Sequence, residues 1–281
     1  MSTAREQMNA LFRGQKPERV GLMDSPWADT IAAWVQQGYP TRLVYKEAGE
    51  QRWRREDGRL EDVEIAGEYE EPVPVWKHFG YDLVGTSGKF DLMPLRDYSE
   101  LVEETDAWAV KRNGAGAALK YWKHKSGTPE HMDFRMVSRE IWERDYRPHL
   151  LTLDPQRLDI AAYRKKRTEP REVGAWIYVG SMFIWELMRQ SMGDVTMYQS
   201  LVLDPAWIHD YARVYTDFFK AHYAYLFQQI ELPDGVWLYE DLGYKNGLFA
   251  SPKVLGDLIF PYYKEMVDFF HSYGLIVVLH T

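Results

Sequence analysis

The chain of 281 residues contains no cysteine, so disulfides and thiolate metal sites are excluded within it. No apolar stretch approaches the roughly 18 uncharged residues that a membrane span needs, and the amino-terminal segment lacks the apolar core of a secretory signal. We therefore expect a cytoplasmic protein with no membrane partner. A net charge of -8 with mixed signs argues against a nucleic-acid partner, which would favour a clustered basic face. The brief basic run Arg164–Arg167 is interpreted as a solvated loop.

Hydrophobic residues make up 46% of the chain and aromatic residues 15%, which indicates a globular protein with a large core. Many of these residues occur in short runs without alternation, separated by segments with helical spacing. A parallel sheet buried on both faces requires such runs, because its strands have no wet face for polar side chains. The pattern therefore predicts an α/β fold of the TIM barrel type.

The strand and helix order predicts five βα units, with strands near residues 20, 82, 176, 237 and 276. Two long helices begin at the cap-and-proline pairs Asp204-Pro205 and Ser251-Pro252, and Pro261 is expected to kink the second one. Since a closed barrel has eight strands, we expect an incomplete barrel that forms a single domain over residues 1–281 and ends after strand five. Its open edge would expose strand amides and favour association with another chain.

The N-terminal half also contains segments that do not fit the barrel repeat, and these are predicted to be antiparallel insertions. Residues 41–75 are charged and irregular, with a turn at Glu56–Gly58 and a short strand around Val63–Ile65. Aromatic and β-branched residues on both sides of Asn113-Gly114 predict a two-residue hairpin. Ser25-Pro26 predicts the start of the helix that follows the first strand.

Polar residues appear where two of the predicted strands end, which in a βα barrel is the catalytic rim. Glu240 and Asp241 follow one apolar run, and His280 ends the next. These three residues are the first candidates for chemistry. Simpler interpretations stay open, since the two carboxylates also suit a turn cap paired with Lys245 and His280 also suits an exposed terminal position.

Further residues at predicted strand ends or nearby loops are expected to contact a substrate: Trp27, Ser87, Met182, Tyr244 and Asn246. For Asn246-Gly247, turn chemistry explains the residue types equally well. For Met182 and Trp27, packing at the rim or in the core is the alternative. Glu186 and Arg189 lie one turn apart on a predicted helix, which favours an ordinary surface ion pair.

The segment from Glu240 to Pro252, Glu-Asp-Leu-Gly-Tyr-Lys-Asn-Gly-Leu-Phe-Ala-Ser-Pro, resembles the uroporphyrinogen decarboxylase superfamily, which includes corrinoid-dependent methyltransferases. The resemblance extends through Pro261–Lys264 and Ser272–His280, and it implies a TIM barrel in which three more strands follow. True decarboxylases carry an arginine-rich segment after strand one, whereas Met23–Trp27 contains no arginine. The aspartate that the decarboxylases place after strand two is replaced here by Thr86–Gly88. The resemblance therefore favours the methyltransferase branch.

In that branch the histidine that ends strand five binds zinc together with a cysteine two residues later, and His280 matches its position. The resemblance thus implies methyl transfer between a corrinoid or small methylated donor and an acceptor, with the corrinoid as substrate or bound to a partner protein. Asp241 would orient the substrate or handle a proton, with Glu240 as its partner. The alternatives are decarboxylation of a porphyrinogen, and an inactive truncated chain or non-catalytic subunit.

Overall fold

The computed structural model describes residues 2–46, 52–53, 60–61 and 67–281. The predicted turn at Glu56–Gly58 and the predicted strand around Val63–Ile65 lie outside these residues. Within the described ranges, no helix is both long and apolar enough to cross a membrane.

Nine α-helices occur in the described part of the chain: α1 (Ala4–Phe12), α2 (Ala28–Gln36), α3 (Val75–Phe79), α4 (Arg139–Ile141), α5 (Ile160–Glu172), α6 (Ile184–Leu203), α7 (Pro205–Gln229), α8 (Pro252–Leu258) and α9 (Phe260–Ser272). The same ranges contain fourteen strands: β1 (Thr41–Lys46), β2 (Arg52–Trp53), β3 (Leu60–Glu61), β4 (Gly67–Pro72), β5 (Leu83–Gly85), β6 (Ser99–Glu104), β7 (Trp108–Asn113), β8 (Ala117–Trp122), β9 (Glu130–Phe134), β10 (Trp176–Met182), β11 (Gly235–Tyr239), β12 (Gly243–Tyr244), β13 (Gly247–Leu248) and β14 (Ile276–His280). A π-helical turn at Trp142–Tyr146 and short 3-10 helices at Arg147–Leu150 and Pro155–Arg157 complete the set.

The centre of the fold is a parallel sheet with the strand order β14-β11-β10-β5. This confirms the α/β class and four of the predicted strands. Among the described residues the sheet does not close into a barrel, because β14 and β5 each pair on one side only.

The strand predicted near residue 20 is not formed, which corrects the count of five to four. The segment lies beside β5, and its one backbone bond to that neighbour runs from the Asp82 amide to the Leu22 carbonyl, at 2.8 Å. The Leu22 amide donates to the Asp82 carboxylate at 2.7 Å, and the Arg19 guanidinium binds the same carboxylate. The Leu22 amide therefore donates to a side chain, and not to the backbone of a neighbouring strand as it would in a β-ladder.

The predicted helix starts at Asp204 and Ser251 are confirmed. The Asp204 carboxylate accepts from the Trp207 amide at 3.1 Å, and the Ser251 hydroxyl accepts from the Val254 amide at 3.3 Å. Pro261 has the expected effect, since α8 ends at Leu258 and a new helix begins at Phe260.

Two helix predictions were wrong. The helix expected from Ser25 begins at Ala28, with Trp27 at its N-cap position and no side-chain cap. The basic run Arg164–Arg167 lies in α5 and not in a loop, because the Asp159 side chain caps this helix by accepting from the Ala162 amide at 2.9 Å.

Antiparallel elements decorate the N-terminal half, as predicted. Strands β6 to β9 form one sheet in sequence order, and β1 pairs with β4. A hairpin joins β7 to β8 at the predicted place, but its loop has three residues, Gly114–Gly116, with Gly116 at a φ of 82°, and not two. The meander lies against α6, where Gly193 adopts a φ of 74° and a Cβ there would come 2.5 Å from the Phe134 ring. Glycine therefore allows both the break in α6 and the close approach of β9.

The two faces of the parallel sheet are covered differently. One face joins α5, α6, α7 and α9 in the main core, to which Val179, Val236 and Leu238 contribute. The other face meets α1 near the amino ends of the strands, where the Phe12 and Trp176 rings are 5.0 Å apart. The carboxyl ends of the strands on this second face remain partly exposed, as at Tyr239 and His280.

Candidate active site

The parallel register brings two predicted residues, Met182 and His280, to one edge of the sheet, with the unpredicted Tyr239 between them. Met182 of β10 is the neighbour of Tyr239 of β11, and Tyr239 is the neighbour of His280 of β14. Side chains alternate along a strand, so Tyr239 and His280 share the sheet face that α1 covers at its far end, whereas Met182 packs against the main core. This edge is where the open parallel sheets of α/β proteins bind ligands.

Tyr239, Asp241 and His280 form what we call the strand-end cluster. The Tyr239 hydroxyl donates to Asp241 Oδ2 at 3.0 Å, and His280 Nδ1 lies 3.3 Å from Asp241 Oδ1. The imidazole stacks on the Tyr239 ring with centroids 4.9 Å apart and 19° between the planes. Within the described residues, His280 Nε2 has no hydrogen-bond partner, and 47% of the side chain is exposed. The imidazole is thus held on one side and free on the other.

Burial raises the pKa of Tyr239, and its hydrogen bond to the Asp241 carboxylate raises this pKa further. Tyr239 therefore remains a protonated donor toward Asp241 at neutral pH. A carboxylate that holds one nitrogen of an imidazole, while the other nitrogen faces solvent, is an arrangement suited to proton transfer.

Glu240 points to the opposite face, away from the cluster, and is fully buried. Its carboxylate accepts from the amides of Phe183 at 2.5 Å, Trp185 at 2.8 Å and Glu186 at 3.3 Å, and the Tyr263 hydroxyl donates to Oε2. Burial raises the pKa of Glu240 to about 8, and these four bonds oppose the shift. The side chain therefore caps the amino end of α6 and fixes it to the end of β11.

Glu186 and Arg189 do not form the surface pair that their spacing predicts. The Glu186 side chain is only 7% exposed, and Arg189 binds both Glu186 Oε1 at 2.8 Å and Asp194 Oδ1 at 2.9 Å. Burial raises the pKa of Glu186, Arg189 opposes this, and the Asp241 carboxylate adds to it. The pair is thus part of the electrostatic surroundings of Asp241.

Tyr244 and Asn246 lie in the small hairpin of β12 and β13, after the strand-end cluster. The Tyr244 ring stacks on Phe249 at 5.1 Å, and the Arg189 guanidinium lies 5.0 Å from the centre of the Phe249 ring. Asn246 occupies the turn before Gly247, whose φ is 144°. Tyr244 is therefore connected to the site through packing, while Asn246 has the position that turn chemistry predicts.

Of the remaining predicted residues, Met182 is the one beside the cluster. Its sulfur accepts from Gln190 Nε2 at 2.9 Å, and the residue lines a cavity of about 400 Å³ next to β10. The Ser87 hydroxyl is held by β10, because it accepts from the Gly180 amide at 2.8 Å and donates to the Gly180 carbonyl at 3.3 Å. Trp27 precedes α2 and is 59% exposed.

The donor set at His280 is too small for a catalytic zinc ion. A catalytic zinc ion takes three protein ligands, and here His280 has a single carboxylate neighbour, Asp241. No group of three His, Cys, Asp or Glu residues that would hold a metal occurs in the described ranges. These residues do not complete a zinc site, and the role of His280 as a ligand stays a prediction.

The aromatic residues on the cluster's own face were missed by sequence reasoning. Tyr178 and Trp237 lie there with ring centroids 5.5 Å apart, and Trp237 is 6.3 Å from the His280 ring. Their signal was present in the alternation of large rings, Trp176 and Tyr178 on one strand and Trp237 and Tyr239 on the next. In buried strands such alternation marks one face.

Fold and geometry together define an α/β protein with a candidate active site at the carboxyl edge of a parallel sheet. The structure is similar to that of a methyltransferase from Methanosarcina mazei, with a TM-score of 0.51 and 11% sequence identity over 100% of this chain and 70% of that chain. No family model matches the sequence, and neither does any curated protein. At this identity the likeness shows that the fold is shared, and the superfamily resemblance of the sequence stays a prediction.

Proposed function

We propose that the protein is an enzyme that transfers a methyl group, with the strand-end cluster as its proton-handling site. The observation that carries the proposal is the His280 imidazole, held by Asp241 at 3.3 Å and by stacking on Tyr239, with no hydrogen-bond partner for Nε2 among the described residues. The fold shared with a methyltransferase supports this class of reaction. The donor is proposed to be a corrinoid, free or bound to a partner protein, or a small methylated molecule.

Methyl transfer needs a nucleophilic acceptor, and a thiol, hydroxyl or amine becomes nucleophilic when it loses its proton. In the proposed reaction His280 Nε2 takes the proton of the acceptor, and Asp241 stabilises the resulting imidazolium. The acceptor atom then attacks the methyl carbon, and the leaving group departs with the electron pair of its bond to that carbon. His280 finally releases the proton to solvent, to which it is half exposed.

Glu240 is proposed to act on this reaction by position. Its carboxylate ties the end of β11 to the amino end of α6, and Asp241 is the next residue in the chain. Tyr244 and Met182 are proposed to contact substrate on the two sides of the cluster, and Asn246, Ser87 and Trp27 are proposed to contribute to binding. Ser87 and Asn246 already have structural roles.

The test measures methyl transfer from methylcobalamin to a thiol, and from small methyl donors, in the wild type and in His280→Gln and Asp241→Asn variants. General-base catalysis contributes about 10²- to 10⁴-fold, so we expect His280→Gln to reduce kcat within that range. The matched control is His271→Gln, which changes an exposed histidine near the end of α9. Wild-type activity in His280→Gln, or no transfer by the wild type from any donor, would contradict the proposal.

A further inference from the structure

The face that ends in the strand-end cluster carries a row of aromatic rings. We call this row the aromatic face; it consists of Trp176, Tyr178, Trp237 and Tyr239. Neighbouring centroids are 6.3 Å apart for the first pair and 5.5 Å for the Tyr178–Trp237 pair. The His280 ring continues the row at 6.3 Å from Trp237 and 4.9 Å from Tyr239. The rings become more exposed toward the cluster, from a fully buried Trp176 to a Tyr239 that is 41% exposed.

Glycines on the neighbouring strands make room for these rings. A Cβ on Gly235 would lie 2.4 Å from the Trp176 ring, and a Cβ on Gly85 would lie 3.2 Å from the Tyr178 hydroxyl. Each of these rings therefore extends sideways across the sheet over a residue that has no side chain. The planes of Tyr178 and Trp237 are inclined by 34°, and both side chains are partly exposed. The face of an aromatic ring carries partial negative charge.

The charges around the row are also negative on balance. Arg189 is occupied by two carboxylates, Glu186 and Asp194, at 2.8 and 2.9 Å. Asp241 has no Lys or Arg partner in the part of the chain that the structure describes; its neighbours are the Tyr239 hydroxyl and the His280 ring. A carboxylate at the end of a row of ring faces complements a cation. The same carboxylate would repel the propionates of a porphyrinogen.

We propose that the aromatic face and Asp241 bind the quaternary ammonium group of a small methyl donor. This inference rests on the proposed function and names its substrate class. Such a cation has no N–H groups that need acceptors, so ring faces satisfy it, and aromatic rings are the usual recognition elements for it. A primary ammonium would need three acceptors, and the row offers one carboxylate.

Binding there places an N-methyl group beside the base. The deprotonated acceptor attacks the methyl carbon, the C–N bond breaks with both electrons going to nitrogen, and a neutral tertiary amine leaves. The new bond joins the acceptor atom to the methyl carbon, and the acceptor's proton is held by His280. Loss of the positive charge weakens the attraction of the product to the rings, which favours its release.

Binding is tested by titration calorimetry, without turnover, using choline and its neutral isostere 3,3-dimethylbutan-1-ol. We expect choline to bind about tenfold more tightly than the isostere, as cation–π contacts with two or three rings imply. Trp237→Leu should remove most of this preference, Trp237→Phe should keep part of it, and Asp241→Asn should reduce it several-fold. The control Trp122→Leu should leave it unchanged, because that indole lies on the antiparallel sheet under Lys120 and Lys125.

Equal binding of choline and the isostere by the wild type would overturn the inference, as would an unchanged preference in Trp237→Leu. The outcome is distinguishable from failure of the proposed function. If methylcobalamin supports transfer but choline shows no preference, only the inference fails. If choline is preferred and Trp237→Leu abolishes the preference while no donor supports transfer, the cation site stands and the proposed reaction fails.

Discussion

Replacing Glu240 by glutamine is the most informative change in the fold around the site. The carboxylate is fully buried and accepts four hydrogen bonds, three from the amides at the start of α6 and one from the Tyr263 hydroxyl. Glutamine has the same shape and does not titrate. Its NH₂ group has no lone pair for the Trp185 amide, so that amide loses its partner at a cost of about 1–3 kcal/mol.

The pH dependence follows from the pKa of Glu240, which burial raises from its ordinary value of 4.5 to about 8. Between these two pH values the folded protein holds a proton that the unfolded chain has released. The stability contribution of the neutral carboxyl is therefore complete below pH 4.5, declines as the pH rises, and is lost above about pH 8. Across this interval of about 3.5 pH units, linkage amounts to at most about 5 kcal/mol.

We expect the wild type to be more stable than Glu240→Gln at pH 5 and less stable than it at pH 8. Urea unfolding followed by tryptophan fluorescence at pH 5, 6, 7 and 8 measures both profiles, and Glu103→Gln on the outer strand β6 is the control for a lost surface charge. Parallel profiles of the wild type and Glu240→Gln would refute the reasoning. They would mean that the amides at the start of α6 stabilise the carboxylate as fully as water does.

The remaining predictions concern glycines and an acid-sensitive ion pair. Gly114→Ala should destabilise the protein by about 1–3 kcal/mol in urea unfolding, because the new Cβ would lie 2.0 Å from the Leu95 carbonyl oxygen. Gly256→Ala should stabilise the protein by about 0.5–1 kcal/mol, because Gly256 lies in α8 with open space around it. Equal effects of the two changes would contradict the close approach of the Leu95 carbonyl oxygen to Gly114. Hydrogen bonds from Arg213 and Lys220 lower the pKa of Glu265 to about 2. The wild type should therefore have a higher free energy of unfolding than Glu265→Gln above pH 4.5, and this difference should disappear as the pH falls toward 2. A difference in unfolding free energy between the wild type and Glu265→Gln that stays constant from pH 4.5 down to about pH 2 would contradict the lowered pKa of Glu265.

The parallel strands could be predicted because their sequences have few alternatives. Apolar runs such as Val236–Leu238 and Ile276–Leu279 are too short for core helices and too uniform for a half-wet sheet. The segment near residue 20 looked similar, but Asp82 binds the Leu22 amide and the Arg19 guanidinium in place of a ladder. A hydrogen bond from a side chain 60 residues away leaves no local pattern.

The sequence by itself determined that polar residues follow the apolar strands, and so placed Asp241 and His280 at one edge of the sheet. The tertiary structure decided which of these residues come into contact. Glu240 and Asp241 are adjacent in the chain, but their side chains lie on opposite faces of the sheet. The reason is that side chains alternate across a strand, so one residue is buried against α6 while the next lies beside His280 on the aromatic face. Which face is buried depends on the helices packed there, and that packing joins residues far apart in sequence.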